Sequence, residues 1–194
     1  DYLLTLNYDE DNSEVCEDDP QLNALQELCG GIHCHQNPLF DSWNFDHTEN
    51  GDIASDPCTD GWYGITCDAR STPENRLISE LNLGDSGISG ALDDSISQLE
   101  HLVKLNISHN NIRGFLPNSL WTIQGLEQFD AHSNVLQGMI DDYDFKTGGL
   151  LKLLDLGDNK IVGQIPPSLR NLEQLECLDL SENTLFDMPS QVSG

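Results

Sequence analysis

The chain has 194 residues, enough for one substantial core, and it sets 34 acidic residues against eight Lys plus Arg for a formal net charge of -26. That balance argues against nucleic acid and anionic membrane surfaces as partners. It suits a cationic partner, divalent ions or a high-salt medium, or the plain solubility of a secreted protein. No apolar run approaches the ~18 residues that a membrane-spanning helix needs.

The acids are uneven, since sixteen of them precede Arg70, the first basic residue. The chain starts at Asp1 rather than Met, as it would after removal of a signal peptide or if the N-terminus lay elsewhere. Residues 1–20 are acidic and read as a poorly ordered arm. Leu22, Leu25 and Leu28 recur at helical spacing, which predicts a helix from Gln21 to Leu28. Gly30 and Gly31 are expected to end it in a left-handed cap. From Gly31 to Asp60 the chain is rich in Asn, Asp, Gly and Pro and reads as loop, anchored by Leu39, Phe40, Trp43 and Phe45.

Five of the six cysteines lie between Cys16 and Cys67, which points to an oxidising compartment. The sequon Asn106-Ile107-Ser108 makes Asn106 a candidate glycosylation site and fits a secreted or cell-surface protein, with a lumenal compartment as the other option. Cys29, His33, Cys34 and His35 could supply four N/S ligands, but their spacing fits no zinc module, and a structural bridge is the better reading. No phosphate loop, nucleophile elbow or His pair with a glutamate is present, so neither an enzyme nor a cofactor is expected.

From Leu81 onward one pattern returns five times. It runs Leu81-Asn-Leu83-Gly-Asp-Ser86-Gly-Ile88, then Leu105-Asn-Ile107-Ser-His-Asn110-Asn-Ile112, and again from Phe129, Leu154 and Leu178. The turn position (Ser86, Asn110, Asn134, Asn159, Asn183) steps by 24, 24, 25 and 24 residues. This is the leucine-rich repeat signature. Each unit offers a short strand whose alternate apolar residues point to one side. One unit cannot bury that side alone, so units stack into a parallel sheet over a continuous core. The recurrent asparagine stands where the chain leaves the strand, placed to satisfy backbone groups inside the stack.

Two further stretches carry a resemblance. Leu39-Phe-Asp-Ser-Trp43-Asn44 followed by Asp56-Pro-Cys58-Thr-Asp-Gly-Trp62-Tyr-Gly64-Ile65-Thr-Cys67 resembles the N-terminal cap of plant-type leucine-rich repeat proteins. Leu116-Pro117-Asn-Ser-Leu120 and Ile165-Pro166-Pro167-Ser168-Leu169 resemble the convex segment of the same family, and Gly90, Gly114, Gly138 and Gly163 each follow a turn position by four residues. Receptor-kinase ectodomains, polygalacturonase-inhibiting proteins and algal or protist relatives share this architecture. The resemblance implies an α/β solenoid: a right-handed superhelix with its parallel sheet on the concave face and a disulfide-stapled cap. On that reading residues 1–20 are the arm, 21–76 the cap region and 77–194 the repeats.

It also implies a Cys58–Cys67 bridge, with Trp62 covering the first rung. Cys29 and Cys34 are close enough in sequence to bridge, though Cys16 could take either. Cys177 is the odd member; a free thiol is favoured, with an intermolecular disulfide second. The family's proline is replaced by Asp93 and Asp141, the third repeat carries an extra residue, and no second cysteine pair follows to mark a C-terminal cap. Either the sequence is a piece of something longer or its open end is covered by a partner.

The exposed side of the sheet is the expected binding face. Strand alternation places Glu80, Asn82, Lys104, Asn106, Gln128, Asp130, His132, Leu153, Asp155, Cys177 and Asp179 there, with Asp158 and Glu182 one position beyond. Asp130, Asp155 and Asp179 then form a carboxylate ladder, with Lys104 as the single interruption of the negative field. His109 and His132 are expected to be solvated, with a role as pH-sensitive contacts as the alternative. The candidate ligand-binding set is Lys104, Gln128, Asp130, His132, Leu153, Asp155, Asp158, Asp179 and Glu182. The partner expected is a protein or peptide with a basic surface, or a glycan. The expected function is an extracellular recognition module, receptor-ectodomain- or inhibitor-like; the alternative is a structural subunit of a larger extracellular or lumenal assembly.

Overall fold

A computed structural model describes residues 19–46, 54–72, 75–141, 145 and 149–186. Cys16, most of the acidic arm, and much of the third repeat's extra loop lie outside the described residues. The cap opens with α1 (Pro20–Gly31). The Asp19 side chain accepts from Gln21 N and Leu22 N at 2.8 and 3.2 Å, and Pro20 stands at the first turn, where its missing N–H is no loss. Leu22, Leu25 and Leu28 are buried, as their spacing predicts.

The helix does not end as expected. Gly30 and Gly31 are its last residues, and the left-handed residue is His33, with φ 56°. Close approach is what requires Gly31. A Cβ there would stand 2.8 Å from Ala91 O, and Gly31 O accepts from Ala91 N at 3.0 Å. The helix end thus satisfies the open edge of a sheet.

Behind it Trp62 is buried, stacked on Trp43 at 6.0 Å between ring centroids and met edge-on by Phe45. Its indole N–H donates to Ser55 Oγ at 2.8 Å, as a buried tryptophan requires. Two disulfides, Cys29–Cys34 and Cys58–Cys67, hold this cap. Arg76, 7 % exposed, is paired by Asp19 and Asp56, which tie the helix N-terminus to the loop before Cys58. A buried guanidinium is tolerated only with such partners.

The first sheet runs β1 (Ile65–Cys67), β2 (Ile78–Asn82), β4 (Lys104–Asn106), β6 (Gln128–Asp130), β8 (Leu153–Asp155) and β10 (Cys177–Asp179). β2 to β10 are parallel, but β1 is antiparallel to β2, so a cap strand closes the first edge. Leu81, Leu105, Phe129 and Leu154 point into the core from successive rungs, as do Leu83, Ile107, Ala131 and Leu156. Burying each large side chain contributes about 1.5–3 kcal/mol.

A second sheet was not anticipated. It consists of β3 (Ser89–Gly90), β5 (Asn111–Gly114), β7 (Val135–Gly138), β9 (Lys160–Gly163) and β11 (Thr184–Leu185), all paired in parallel.

The turn asparagine joins the two sheets. Asn159 Nδ2 donates to Ala131 O, Leu156 O and Gly157 O at 3.0–3.1 Å, while its Oδ1 accepts from Leu136 N at 2.9 Å. Asn110, Asn134 and Asn183 repeat the arrangement. In the first rung Ser86 replaces it, and Asn37 and Tyr63 of the cap bond to its carbonyl and hydroxyl. The convex segments are 3-10 turns at Asp94–Gln98, Asn118–Thr122 and Pro167–Asn171. Among the described residues the α-helical part of the solenoid is therefore confined to the cap, because a 24-residue rung carrying two sheets leaves only short convex runs.

Candidate functional site

The first sheet's exposed side follows from its register. Asn82 pairs with Asn106, Asn106 with Asp130, Asp130 with Asp155 and Asp155 with Asp179. The column therefore changes along the solenoid from two amides to three carboxylates, one strand spacing (~4.8 Å) apart. The companion column runs Glu80, Lys104, Gln128, Leu153 and Cys177. Around the N-terminal half lies a shallow trough of about 200 Å³, lined by Lys104, Asn106, Gln128, Asp130 and Leu153 among others.

Each member of the first column has a structural duty as well. Asn106 Oδ1 accepts from Ser108 N at 2.9 Å, Asp130 Oδ1 from His132 N at 3.0 Å, Asp155 Oδ1 from Gly157 N at 2.9 Å and Asp179 Oδ1 from Ser181 N at 2.8 Å. This local turn ends the strand and uses one oxygen, which an amide supplies as well as a carboxylate. Negative charge in rungs three to five is therefore additional to what the turn needs. The Asp179 carboxyl is held below the usual carboxylate range, first by the Ser181 hydroxyl at 2.6 Å and then by the Ser181 N–H.

Two residues have partners that the sequence did not show. Lys104 interrupts the negative field while its Nζ pairs with Glu80 at 2.6 Å across neighbouring strands. His132 is not simply solvated. Its ring packs edge-on against His109, and its buried Nδ1 lies 3.5 Å from Asp155 Oδ1, too far for a good hydrogen bond but within reach of a charge contact when protonated. Gly157 makes room for it, since a Cβ there would stand 2.8 Å from that nitrogen.

Asp158 and Glu182 occupy left-handed turn positions with φ 51° and 53°, and Asp158 accepts from Ser133 Oγ at 2.6 Å. Gln128 and Leu153 follow Lys104 in the companion column, and Cys177 is an exposed free thiol on the last strand.

Asn106 is half-buried at the centre of this face, and the hydroxyl of its sequon partner Ser108 is spent on Asn106 Oδ1 at 2.7 Å. Cys29, Cys34 and His35 gather in the cap, with His35 Nδ1 3.3 Å from Cys29 Sγ, but the two sulfurs are bonded to each other and are not thiolate ligands. The sequence reading missed a run of exposed apolar side chains on the second sheet. Its available signal was the recurrent glycine four residues after each turn, which marks that strand's end.

A stacked, capped solenoid with a polar sheet face is the kind of extended surface on which repeat proteins bind partners. Family models for the leucine rich repeat N-terminal domain match residues 18–68, and leucine rich repeat models match 76–136 and 150–172. Two relatives from Arabidopsis thaliana are each 33% identical: Receptor-like protein 50 over 126 residues, and the inactive leucine-rich repeat receptor-like serine/threonine-protein kinase BIR2 over 94. Those stretches are 63% and 48% of this chain but 11% and 14% of the relatives, so the chain spans a small part of their length.

Among solved structures, a chain of the Arabidopsis BIR3–SERK2 complex superposes with a TM-score of 0.70 at 26% identity, covering 90% of this chain and 87% of that one. The Arabidopsis receptor kinase HAESA, solved with the peptide hormone IDA and the co-receptor SERK1, gives 0.68 at 25% identity over 86% of this chain and 26% of the other. The protein is a plant-type leucine-rich repeat protein, similar to receptor ectodomains.

Proposed function

We propose that this is an extracellular, non-catalytic recognition module of the receptor-ectodomain kind, and that rungs three to five of its concave face bind a basic peptide or a basic patch on a protein. The observation that carries this is the carboxylate column Asp130, Asp155 and Asp179, with Asp158 and Glu182 beside it, where rungs one and two have amides. Like charges at strand spacing repel and are relieved by a cation. A single divalent ion would want several oxygens around one point, whereas a column supplies one or two per rung. The similarity to HAESA, solved with a peptide hormone, supports the class of ligand.

The test uses Asp155→Asn/Asp179→Asn, because Asn82 and Asn106 already show that an amide keeps the turn. Binding of an oligolysine peptide is measured by calorimetry from 20 to 300 mM salt. The wild type should bind and weaken steeply with salt, since exposed charges are screened over ~8 Å at 0.15 M. The variant should bind several-fold more weakly with a shallower slope. Equal affinity and equal slope would remove the carboxylate column from the function.

A further inference from the structure

The second sheet carries a surface unlike the rest of the molecule. Phe115 and Met139 are each 68 % exposed, Phe186 58 % and Val162 43 %. Single exposed apolar side chains are ordinary, but these lie on successive rungs of one sheet. The Phe115 ring lies over Gly138 of the next rung. The Met139 side chain lies over Gly163, where a Cβ would stand 2.8 Å from Met139 Cγ. Phe186 N donates to Gly163 O at 2.9 Å, and Val162 pairs with Thr184 beside it. The exposed apolar residues therefore step from the second rung to the fifth, each beside the strand of the next.

Its charge is equally distinct. Residues 89–91, 111–116, 135–140, 160–165 and 184–186 contain no Asp or Glu, in a chain with 34 of them. Arg113 and Lys160 project from β5 and β9 and are exposed. Among the described residues, Arg70, Arg76, Lys104 and Lys152 are all paired with carboxylates, whereas Arg113 and Lys160 make no ion pair. Arg170, on the convex turn, is also without an ion pair, but Arg113 and Lys160 are the two that share this face, whose strands offer them no acid.

We infer that the second-sheet face is a docking surface, separate from the concave face, for a protein segment that is apolar at its centre and carries carboxylates at its edge. The apolar stripe supplies the area, and Arg113 and Lys160 supply the sign. A basic segment is drawn instead to the carboxylate column on the other sheet, so one molecule can hold two partners of opposite charge on its two sheets. A second copy of this chain meets the same face less well, because two such faces would bring cations against cations.

Met139 and Met188 are the two methionines, so methionine-methyl labelling places a reporter inside the stripe, assigned with Met188→Leu. The probe is a short peptide alternating Glu and Leu, compared with its Lys and Leu counterpart. The Met139 methyl resonance should shift saturably with the acidic peptide and stay still with the basic one. Phe115→Ser should abolish the shift, and Arg113→Glu/Lys160→Glu should invert the preference; circular dichroism confirms that each variant is folded. No Met139 shift, or equal shifts with both peptides, would overturn the proposal. So would a Met139 signal that moves with protein concentration alone, which would make a second copy the occupant.

Discussion

The two sheets are made from the same five rungs and are joined at the same residue, yet their outer surfaces have opposite character. The first sheet shows amides giving way to carboxylates, and the second shows aromatic and aliphatic side chains with two unpaired cations. Nothing in the stacking demands either surface. Leu154, Leu156 and Ile161 are buried because the core needs them, and Asn159 because the junction does. The outward residues between them answer only to solvent and to partners. A solenoid can therefore evolve two recognition faces without disturbing the residues that hold it up.

The junction is where this separation should break. Asn159→Ala would orphan carbonyls of the first sheet and the Leu136 N–H of the second at once. Each buried polar group left without a partner costs about 1–3 kcal/mol, so a loss of roughly 3 kcal/mol or more is expected in urea unfolding. Ser86→Ala, at the rung where the cap supplies substitutes, should cost about 1 kcal/mol. A loss at Asn159 no larger than that at Ser86 would mean that the sheets are not coupled through the asparagine.

A milder change should separate the sheets rather than break both. Gly138 has φ 92°, and a Cβ there would run into the Phe115 ring. The exposed ring can move aside, but the left-handed backbone cannot be relieved. Gly138→Ala should thus destabilise by about 1–2 kcal/mol in thermal unfolding. It should also weaken the acidic peptide's effect on Met139 while leaving oligolysine binding unchanged. A parallel loss at both faces would show that the faces are not independent.

Much of this was legible in the sequence, and the reason is periodicity. Leucines at fixed offsets and an asparagine every 24 or 25 residues specify the stack, and the stack specifies which residues share a column. That is why Asp130, Asp155 and Asp179 could be placed side by side. The second sheet escaped because each of its rungs offers a single inward apolar residue (Ile88, Ile112, Leu136, Ile161, Leu185), where the first sheet offers an alternating pair. β1 escaped because Ile65–Cys67 reads as the cap motif, and only its pairing with β2 makes it a strand. The Lys104–Glu80 pair was hidden for another reason: both residues were assigned to the face, but not to each other. His33 adopts the left-handed conformation in place of the glycines because Gly31 is needed to let Ala91 approach.

The smallest expected effect concerns how far the first sheet's charge depends on pH. Asp179 is held below the ordinary carboxylate value of ~3.9, mainly by the Ser181 hydroxyl. Because its folded pKa lies below the unfolded one, its contribution to stability is present above about pH 4 and is lost as pH falls through the folded value. Ser181→Ala should raise the Asp179 titration toward the ordinary range in carboxyl-detected NMR and shrink that acid-side loss. The second rung provides the control within the same sheet. Ser108 Oγ makes the equivalent bond to Asn106 Oδ1 at 2.7 Å, and an amide does not titrate in this range. Ser108→Ala should therefore change stability by an amount that is flat from pH 3 to 7, whereas the Ser181→Ala difference should fade as pH drops. If the Ser181→Ala difference is as flat with pH as the Ser108→Ala one, the hydroxyl bonds matter only to the turn, and the Asp179 carboxylate draws its low pKa from the backbone N–H alone.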